Sequence, residues 1–447
     1  MSHSSRRGEP DKRRAVRTIR PRVGFIGEAI AHRKQFWAQL RGTSWQRNLA
    51  VLWLGELIAI SGFSVTLPFL PYYVQELGIT GLDRVAFWAG LLTTAQSTTM
   101  ALVAPLWGLL ADRYGRKIMV VRAMLGGAAI ISLMAAAQNV YQLLILRAIQ
   151  GMLTGTVPAA TTLIASNTPS ERRGYALGTL QMAIYMGSTV GPFVGGLVAD
   201  SLGYRATFLV TGALLLVAGI LTSALVREEF SPPARERVHL WEGLLVVVRT
   251  RALMTLYGIR VLLGMAVQVA APVFSLFVQS IAAPGAQVAS LAGTIAGLAS
   301  LTSALSAVVL GRASDRLGSR RILLLCGIAC AGLYGLMSGV RTPLQLGMLR
   351  ALVGIAAGGI LASVSVLQAS LAPAGRYGAV YGVDTSLMAA ANAVSPMIGA
   401  GLAAGWGLPS VFLGSAALYG VGTAVAALVL PASAPAAIEQ ESEMGEV

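Results

Sequence analysis

The chain has 447 residues, of which 55% are hydrophobic and only 12% are charged, and its formal net charge is +15. Soluble proteins carry about 25% charged residues, so this composition excludes an ordinary soluble domain. Apolar runs long enough to cross a bilayer of about 30 Å recur along the chain and predict an all-α polytopic membrane protein.

The first segment, residues 1–47, is rich in arginine and precedes every apolar run. It lacks the apolar core of a cleavable signal peptide, so no such peptide is expected. Within it, residues 25–40 place apolar side chains at helical spacing around Arg33 and Lys34. Two interpretations stay open for this stretch: an amphipathic helix at the membrane surface, and a partly disordered basic tail.

Twelve membrane-spanning helices, called spans 1 to 12 below, are predicted along the rest of the chain. Their expected bounds are 49–74, 86–111, 117–137, 141–167, 174–199, 205–226, 252–280, 287–311, 321–340, 343–370, 377–404 and 408–430. Residues 227–251, between spans 6 and 7, are charged and contain two prolines, which predicts a cytoplasmic connector. Residues 432–447 form an acidic tail that is expected to be disordered.

Basic residues are distributed unevenly around these spans. The loops of one side hold only Arg84, Arg205 and Arg341, whereas nearly all other Lys and Arg fall in the N-terminal segment, the connector and the loops of the other side. Basic residues accumulate on the cytoplasmic side of membrane proteins. Both termini are therefore predicted to be cytoplasmic, and the positive charge is assigned to topology and lipid contact rather than to nucleic acid.

The two halves of the chain repeat one another at an offset of 203–204 residues. For example, "LRAIQG" at 146–151 matches "LRALVG" at 349–354. Because each half has an even number of spans, the two repeats have the same orientation in the membrane. The sequence predicts two pseudo-symmetric six-helix bundles, formed by residues 48–226 and 252–431, and such repeats are typical of transporters.

The loop between spans 2 and 3 reads "GLLADRYGRK" at 108–117, and the matching loop of the second half reads "GRASDRLGSR" at 311–320. Glycine permits a tight turn, and an Asp beside a helix N-terminus is electrostatically favourable. In the second copy Ser319 replaces a basic residue, so a contact made there is expected to be weaker. The residues of this loop motif are Gly108, Asp112, Arg113, Gly115, Arg116, Lys117, Asp315 and Arg316.

Span 5 contains the pattern G-x8-G-x3-G-P-x2-G-G at 178–196. Small residues at helical spacing let two membrane helices approach closely, and proline bends a helix by releasing a backbone carbonyl. The pattern therefore predicts a close and bent helix crossing. Its members are Gly178, Gly187, Gly191, Pro192, Gly195 and Gly196.

These motifs, together with "SVTLPFLPYYVQELG" at 64–78, resemble those of the major facilitator superfamily, and within it the twelve-span drug:proton antiporters of the MdtG type. The resemblance covers about residues 46–430 and implies a multidrug exporter that works by alternating access. It implies that Asp112 contacts the start of span 11 and latches the cytoplasmic side. It also implies that the span 5 motif acts as a hinge and seal between the bundles.

Arg147 in span 4 corresponds to a basic residue that the resemblance implicates in proton transfer. Pro68 leaves the carbonyl of Ser64 without its helical donor, and helix rise places Ser64 at a depth similar to that of Arg147. Arg147 is therefore predicted to bind the Ser64 carbonyl. A buried arginine with a purely structural role is the other interpretation.

Charged residues inside the spans are few, and each costs at least about 2.5–3.5 kcal/mol in the membrane unless it is paired or functional. Helix rise places Glu56, Arg260 and Asp384 at similar depths, about 10–13 Å from the cytoplasmic ends of their spans. The resemblance places span 11 beside span 7 in the second bundle, and it therefore implies that Arg260 and Asp384 pair. Glu56 is predicted to face the central cavity that the resemblance implies, and to carry the proton. A structural bridge to Arg260 and recognition of a cationic drug stay open as alternatives.

The predicted function is proton-coupled export of amphipathic small molecules across a bacterial inner membrane, by a monomer surrounded by lipid. A dedicated exporter or flippase for a metabolite, sugar or glycolipid is the alternative on the same fold, and a membrane sensor is the rival outside transport. No metal cluster, nucleotide loop or nucleophile constellation appears in the sequence, so no metal, cofactor or enzymatic activity is expected. The candidates for lining a substrate cavity are Phe63, Phe69, Tyr73, Met265 and Phe274.

Overall fold

The structure is a computed structural model of the chain, and it describes residues 44–169, 172–228, 251–371 and 377–430. Inside these ranges the side chains of residues 44, 112, 251–252, 315, 369 and 377–382 are not described. The predicted surface helix, most of the connector and the acidic tail lie outside the described residues. The division of the chain into five segments therefore stays a prediction.

The described residues are almost entirely helical, and no strand occurs among them. A helix occurs at each of the twelve predicted positions, which confirms the fold class. Span 1 comprises Ser44–Thr66, a short 3-10 turn at Leu67–Phe69 and Leu70–Glu76. Spans 2 to 6 are Leu82–Tyr114, Arg116–Met134, Val140–Leu153 with Thr156–Asn167, Arg173–Leu202 and Tyr204–Leu225. Spans 7 to 12 are Arg251–Ile281, Val288–Leu317, Ser319–Met337, Pro343–Leu371, Tyr377–Trp406 and Leu408–Val429.

Eleven of these spans are long and apolar enough to cross a membrane. Span 2 is the exception, although it is 33 residues long, because the polar run "TTAQSTT" at 93–99 interrupts its apolar sequence. Two residues of this run contact span 4: the hydroxyl of Thr99 donates to the carbonyl of Ala148 at 2.8 Å, and the side-chain oxygen of Gln96 accepts from Arg147. These two polar side chains of span 2 therefore bind partners inside the first bundle.

Proline and glycine interrupt two spans of the first bundle. Pro68 lies in the 3-10 turn that interrupts span 1. Span 4 breaks at Thr154 and Gly155, where Gly155 has a φ of 128° that residues with a side chain rarely adopt. The matching span 10 is one continuous helix, so the break in span 4 belongs to the first bundle alone.

The two motif loops turn in the same way. Gly115 and Gly318 have φ values of 98° and 88°, and each ends one helix while it precedes the next. Their backbone N–H groups donate to the carbonyls of Ala111 and Ser314, both at 3.0 Å. The predicted tight turn is present in both halves, and glycine is required there because φ is positive.

The two ends of the helix bundles are named here by the segments that lie at each of them. At the end called the connector end, span 6 leads into the connector, and the Asn48 amide at the start of span 1 exchanges hydrogen bonds with the backbone of Arg227. The opposite end is called the far end. Because the spans alternate in direction, the loops between spans 2 and 3 and between spans 8 and 9 also lie at the connector end.

The two bundles contact each other through two matching interfaces, span 2 against span 11 and span 5 against span 8. A Cβ added to Gly90 would lie 2.8 Å from the carbonyl oxygen of Pro396, and a Cβ added to Gly293 would clash with the carbonyl of Pro192. Gly90 and Gly293 are 203 residues apart, and the two prolines are 204 apart. Each interface therefore repeats the other, as the predicted pseudo-symmetry requires.

Candidate functional site

Glu56 lies in the connector-end half of span 1, and its side chain has no exposed surface. Thr156, the first residue after the break in span 4, brings its hydroxyl near the carboxyl. Neither carboxyl oxygen of Glu56 completes a hydrogen bond with a described residue. A membrane helix therefore holds a buried carboxyl that has no ion-pair or hydrogen-bond partner in the described part of the chain.

The expectation that Glu56 faces a central cavity is wrong for this conformation. Glu56 is 0% exposed, whereas the side chain of Arg260 is 22% exposed. Span 4 covers the carboxyl through Thr156, which the turn at Gly155 presents towards span 1. The alternative of a Glu56–Arg260 bridge is also absent here, because Arg260 pairs elsewhere.

Arg260 and Asp384 form an ion pair inside the second bundle. Arg260 Nε lies 2.5 Å from Asp384 Oδ1, and Gln368 Nε2 of span 10 donates to the same oxygen at 2.8 Å. Asp384 is 6% exposed and Gln368 only 2%. Sequence reasoning placed Arg260 and Asp384 together but missed Gln368. The one signal in the sequence was an amide in the apolar run of span 10.

Arg147 does not bind the carbonyl of Ser64, so that prediction is wrong. Its Nη1 donates to Gln96 Oε1 of span 2 at 2.7 Å and to Gln150 Oε1 at 3.2 Å. The reason is packing: span 4 lies against span 2, whereas Ser64 lies against Gly191 of span 5. Arg147 is 3% exposed, and its Nε and Nη2 have no hydrogen-bond partner among the described residues.

Arg350, the repeat mate of Arg147, lies among aromatic rings. Its guanidinium carbon is 4.5 Å from the centre of the Phe274 ring, and Nη1 donates to the Tyr334 hydroxyl at 3.1 Å. Tyr334 in turn stacks on Tyr419, with ring centres 5.4 Å apart. The arginine at this helix position thus contacts amide oxygens in the first bundle and aromatic side chains in the second.

Three of the five cavity candidates are packing residues, which contradicts their predicted role in this conformation. Phe69 packs against Gly195 of span 5, and Phe274 packs against Arg350. Tyr73 is fully buried and donates to the carbonyl of Met134 at 2.8 Å. These rings fill the far-end half of the bundles, where neighbouring helices are close. The remaining candidates, Phe63 and Met265, are half-buried.

The span 5 motif forms a close crossing with span 1. A Cβ on Gly187 would lie 2.9 Å from the carbonyl oxygen of Leu57, and one on Gly191 would lie 2.5 Å from that of Ser61. Gly195 continues the same face one turn further. These three glycines are four residues apart, so they form one stripe along the helix.

The remaining motif residues divide between a second face and an open one. A Cβ on Gly196 would lie 2.8 Å from the carbonyl oxygen of Ala289, and the carbonyl of Pro192 meets Gly293, so both contact span 8 of the other bundle. Gly178 differs from the prediction, because a Cβ added there would meet no heavy atom within 4 Å. It lies towards the connector end, beyond the close crossing.

The loop latch itself is not described. The side chains of Asp112 and Asp315 lie outside the described residues, as do those at the start of span 11. Among the other motif residues, Gly108 has no close neighbour. Arg113 and Arg316 are exposed.

A carboxylate does occupy the N-terminus of span 3, but it comes from the start of the connector, directly after span 6, and not from span 11. The backbone N–H groups of Arg116 and Lys117 donate to the two oxygens of Glu228 at 3.0 and 2.8 Å. An acid at this position is stabilised by the free N–H groups and the helix dipole. Sequence reasoning missed Glu228. The sequence offered one indication of it, the pair of acidic residues that directly follows span 6.

Comparisons with known proteins decide the family. The family model described as Major Facilitator Superfamily matches residues 52–284 and 256–446. The chain belongs to the major facilitator superfamily. Multidrug resistance protein MdtG of Enterobacter lignolyticus strain SCF1 is 38% identical to this superfamily member over 371 residues, which cover 83% of this chain and 89% of that protein. MdtG of Escherichia coli O17:K52:H18 is equally identical over the same length, with 91% of that protein covered.

Solved structures of transporters have a fold similar to that of this chain. A mutant of the nucleoside transporter NupG aligns with a TM-score of 0.73 at 13% identity, covering 86% of this chain and all of that one. A bacterial homolog of the human lysosomal transporter Spinster, in an inward-facing and unoccupied conformation, aligns with a TM-score of 0.71 at 16% identity, covering 87% and 97%. At these identities the likeness concerns the fold alone.

Proposed function

We propose that this protein is a proton-coupled antiporter that exports amphipathic small molecules or drugs across a bacterial inner membrane. The MdtG relatives, which are named multidrug resistance proteins, support the substrate class. One structural observation carries the coupling: Glu56 is a buried carboxyl in a membrane-spanning helix, without a partner among the described residues. Ionisable groups in such positions usually mark ion or substrate pathways.

The connector end is the cytoplasmic end, because the basic residues concentrate there. The hydrogen bonds that join the two bundles, among the residues that the structure describes, lie at the far end. The far end is therefore closed, and a closed far end is what the inward-facing stage of an alternating-access cycle requires. Small molecules enter from the cytoplasm or the inner leaflet in this stage.

Glu56 alternates between two environments in this cycle. In the buried one, beside Thr156, a charged carboxylate would lack any ion-pair partner, and such burial costs far more for a charged group than for a neutral one. When span 1 moves relative to span 4, Glu56 meets water, Arg260 or a cationic substrate, and each of these stabilises the charged form. Proton release is thereby tied to the movement and to substrate binding.

Asp384 and Gln368 hold the other side of this charged layer. The ion pair and the amide hydrogen bond fix Asp384 on the second bundle and keep Arg260 at a partly exposed position. A fixed cation opposite a movable carboxyl lets the protein change the affinity of Glu56 for a proton without an intramembrane histidine. All three histidines of the chain lie outside the predicted spans.

The test uses proteoliposomes with an imposed pH gradient. Wild-type protein is expected to accumulate a cationic dye and a neutral amphipathic compound against their gradients. Glu56→Gln is expected to bind both compounds but to lose uphill transport, because the amide keeps the shape and releases no proton. Asp83→Asn, at an exposed acid of the far end, is the matched control and keeps transport.

Other results would change the assignment. Uphill transport of the neutral compound by Glu56→Gln would remove Glu56 as the proton carrier. Loss of the cationic dye alone would make Glu56 a recognition residue. Equal accumulation by the wild type with and without the pH gradient would contradict proton coupling altogether.

A further inference from the structure

Polar contacts join the two bundles at the far end, and some of them lie symmetrically about the pseudo-two-fold axis. The side-chain amides of Gln75 and Gln279 exchange hydrogen bonds at 2.9 and 3.2 Å, and these residues are repeat mates. Beside them the Tyr72 hydroxyl donates to the backbone carbonyl of Ser275 at 2.5 Å. These contacts are neutral, so each makes a modest net contribution.

Among the described residues, one of the contacts between the bundles at the far end is charged. The backbone N–H of Ser290, third residue of span 8, donates to Asp200 Oδ2 at 2.7 Å. Asp200 lies near the end of span 5, so this contact crosses between the bundles. A carboxylate that binds a free N–H at a helix N-terminus gains from both the hydrogen bond and the helix dipole.

Among the described residues, this charged contact has no counterpart in the other interface. Ala404 occupies the position that matches Asp200, so no acid is present there. Phe87 matches Ser290, but span 2 already begins at Leu82, which places the N–H of Phe87 inside the helical hydrogen-bond ladder. The matching crossing of spans 2 and 11 therefore forms without a charged latch, and the fold does not require one.

The position of Asp200 ties it to helix separation at the far end. One turn before it along span 5, Gly196 touches the backbone of Ala289, so spans 5 and 8 are in contact at this level. We propose that Asp200 is the latch of the far end: its carboxylate holds the N-terminus of span 8 against span 5 and favours the conformation closed at that end. Opening of the far end breaks this bond. The inference depends on the proposed transport cycle only in the step that links opening to export.

The prediction is a graded shift in the ratio of far-end-open to far-end-closed molecules. Asp200→Ala loses both the acceptor and the charge, and it is expected to raise this ratio about tenfold or more, since hydrogen bonds to charged groups are among the stronger ones. Asp200→Asn keeps an acceptor without the charge and gives a smaller rise. Asp200→Glu, which keeps the charge, restores most of the wild-type ratio.

The measurement is the distance between spin labels in lipid nanodiscs, by pulsed electron resonance. Labels at Thr80→Cys and Arg341→Cys report the separation of the two bundles, because both positions are exposed far-end loop sites in different halves. The two native cysteines, Cys326 and Cys330, are buried and are replaced by alanine. Asp83→Ala, at an exposed acid in the first helical turn of span 2, is the matched control.

The expected result is a larger long-distance population in Asp200→Ala, with Asp83→Ala at the wild-type value and all variants eluting as folded protein. An unchanged distribution in Asp200→Ala would overturn the latch, and an equal shift in Asp83→Ala would do so too. The distances are read without substrate or a proton gradient. If the populations shift while no variant or wild type exports any compound, the latch stands and the proposed function fails.

Discussion

Glu56 and Arg260 occupy matching positions in the two bundles, 204 residues apart, and carry opposite charges in quite different surroundings. Arg260 pairs with Asp384, whereas Glu56 is buried without a partner among the described residues. The helix contacts around them are nevertheless shared. A Cβ on Gly195 would meet the carbonyl of Val65, and one on the matching Gly399 would meet the carbonyl of Val269.

This difference distinguishes the helix contacts that the fold requires from the side chains that belong to the functional site. Backbone contacts between helices occur in both repeats, because close packing sets the crossing of spans 1 with 5 and 7 with 11. The side chains at Glu56 and Arg260, and at Asp200 and Ala404, differ between the repeats, so the fold does not demand a particular charge at these positions. The divergent positions are therefore the ones at which changes should affect the two bundles unequally.

The largest expected effect concerns the paired charge. Arg260→Ala leaves Asp384 buried without its cation, and removal of one partner of a buried pair typically costs about 3–5 kcal/mol. The unfolding temperature in detergent, followed by fluorescence-detected gel filtration, is expected to fall by many degrees. Arg260→Ala combined with Asp384→Ala should recover most of the loss, because no lone charge remains.

The exposed pair Arg205–Glu76 is the matched control for this prediction. Its nitrogen–oxygen distance is 2.8 Å, but the two side chains are 45% and 37% exposed, and exposed pairs contribute at most about 1 kcal/mol. Arg205→Ala should therefore lower the unfolding temperature much less than Arg260→Ala. Equal losses in the two variants would mean that the Arg260–Asp384 pair is not buried in solution.

A second, smaller effect is expected in the glycine stripe of span 5. The second bundle has Ser395 where the first has Gly191, so only the first bundle uses glycine for this contact. Gly191→Ala would place a Cβ 2.5 Å from the carbonyl oxygen of Ser61, and overpacking of this kind costs about 1–3 kcal/mol. The same thermal assay checks this loss.

Gly178 offers the control within the same motif. A Cβ there meets nothing within 4 Å, and alanine is a better helix former than glycine by up to about 1 kcal/mol. Gly178→Ala should be neutral or stabilising. A loss of stability as large as that of Gly191→Ala would show that an unseen contact covers Gly178.

The sequence was sufficient for the architecture because hydropathy and the repeat act over many residues. The Arg260–Asp384 contact was also predictable, because counting residues gives the depth of each side chain and the resemblance to the superfamily places span 11 beside span 7. The surroundings of Glu56 and Arg147 were not, because they depend on which neighbour each helix face meets. The break at Gly155 turns Thr156 towards Glu56, and the polar run of span 2 supplies Gln96 to Arg147. Neither follows from depth alone.

The last comparison concerns the two repeated arginines, Arg147 and Arg350. Arg147 is 3% exposed and its Nη1 donates to Gln96 and Gln150, so Gln96→Leu removes one of two acceptors from a buried cation. A buried donor left unsatisfied costs about 1–3 kcal/mol. Arg350 keeps the face of Phe274 when Tyr334→Phe removes its hydroxyl acceptor, so that variant should lose less than about 1 kcal/mol.

The order of these two losses shows which bundle holds its arginine more firmly. If amide oxygens hold Arg147 as the hydrogen bonds indicate, Gln96→Leu lowers the unfolding temperature more than Tyr334→Phe does. Gln96→Glu places a carboxylate beside the arginine, so its unfolding temperature should equal or exceed that of the wild type. The reverse order would mean that the aromatic site around Arg350 is the stronger anchor. In that case the polar run of span 2 serves the transport path rather than the stability of the first bundle.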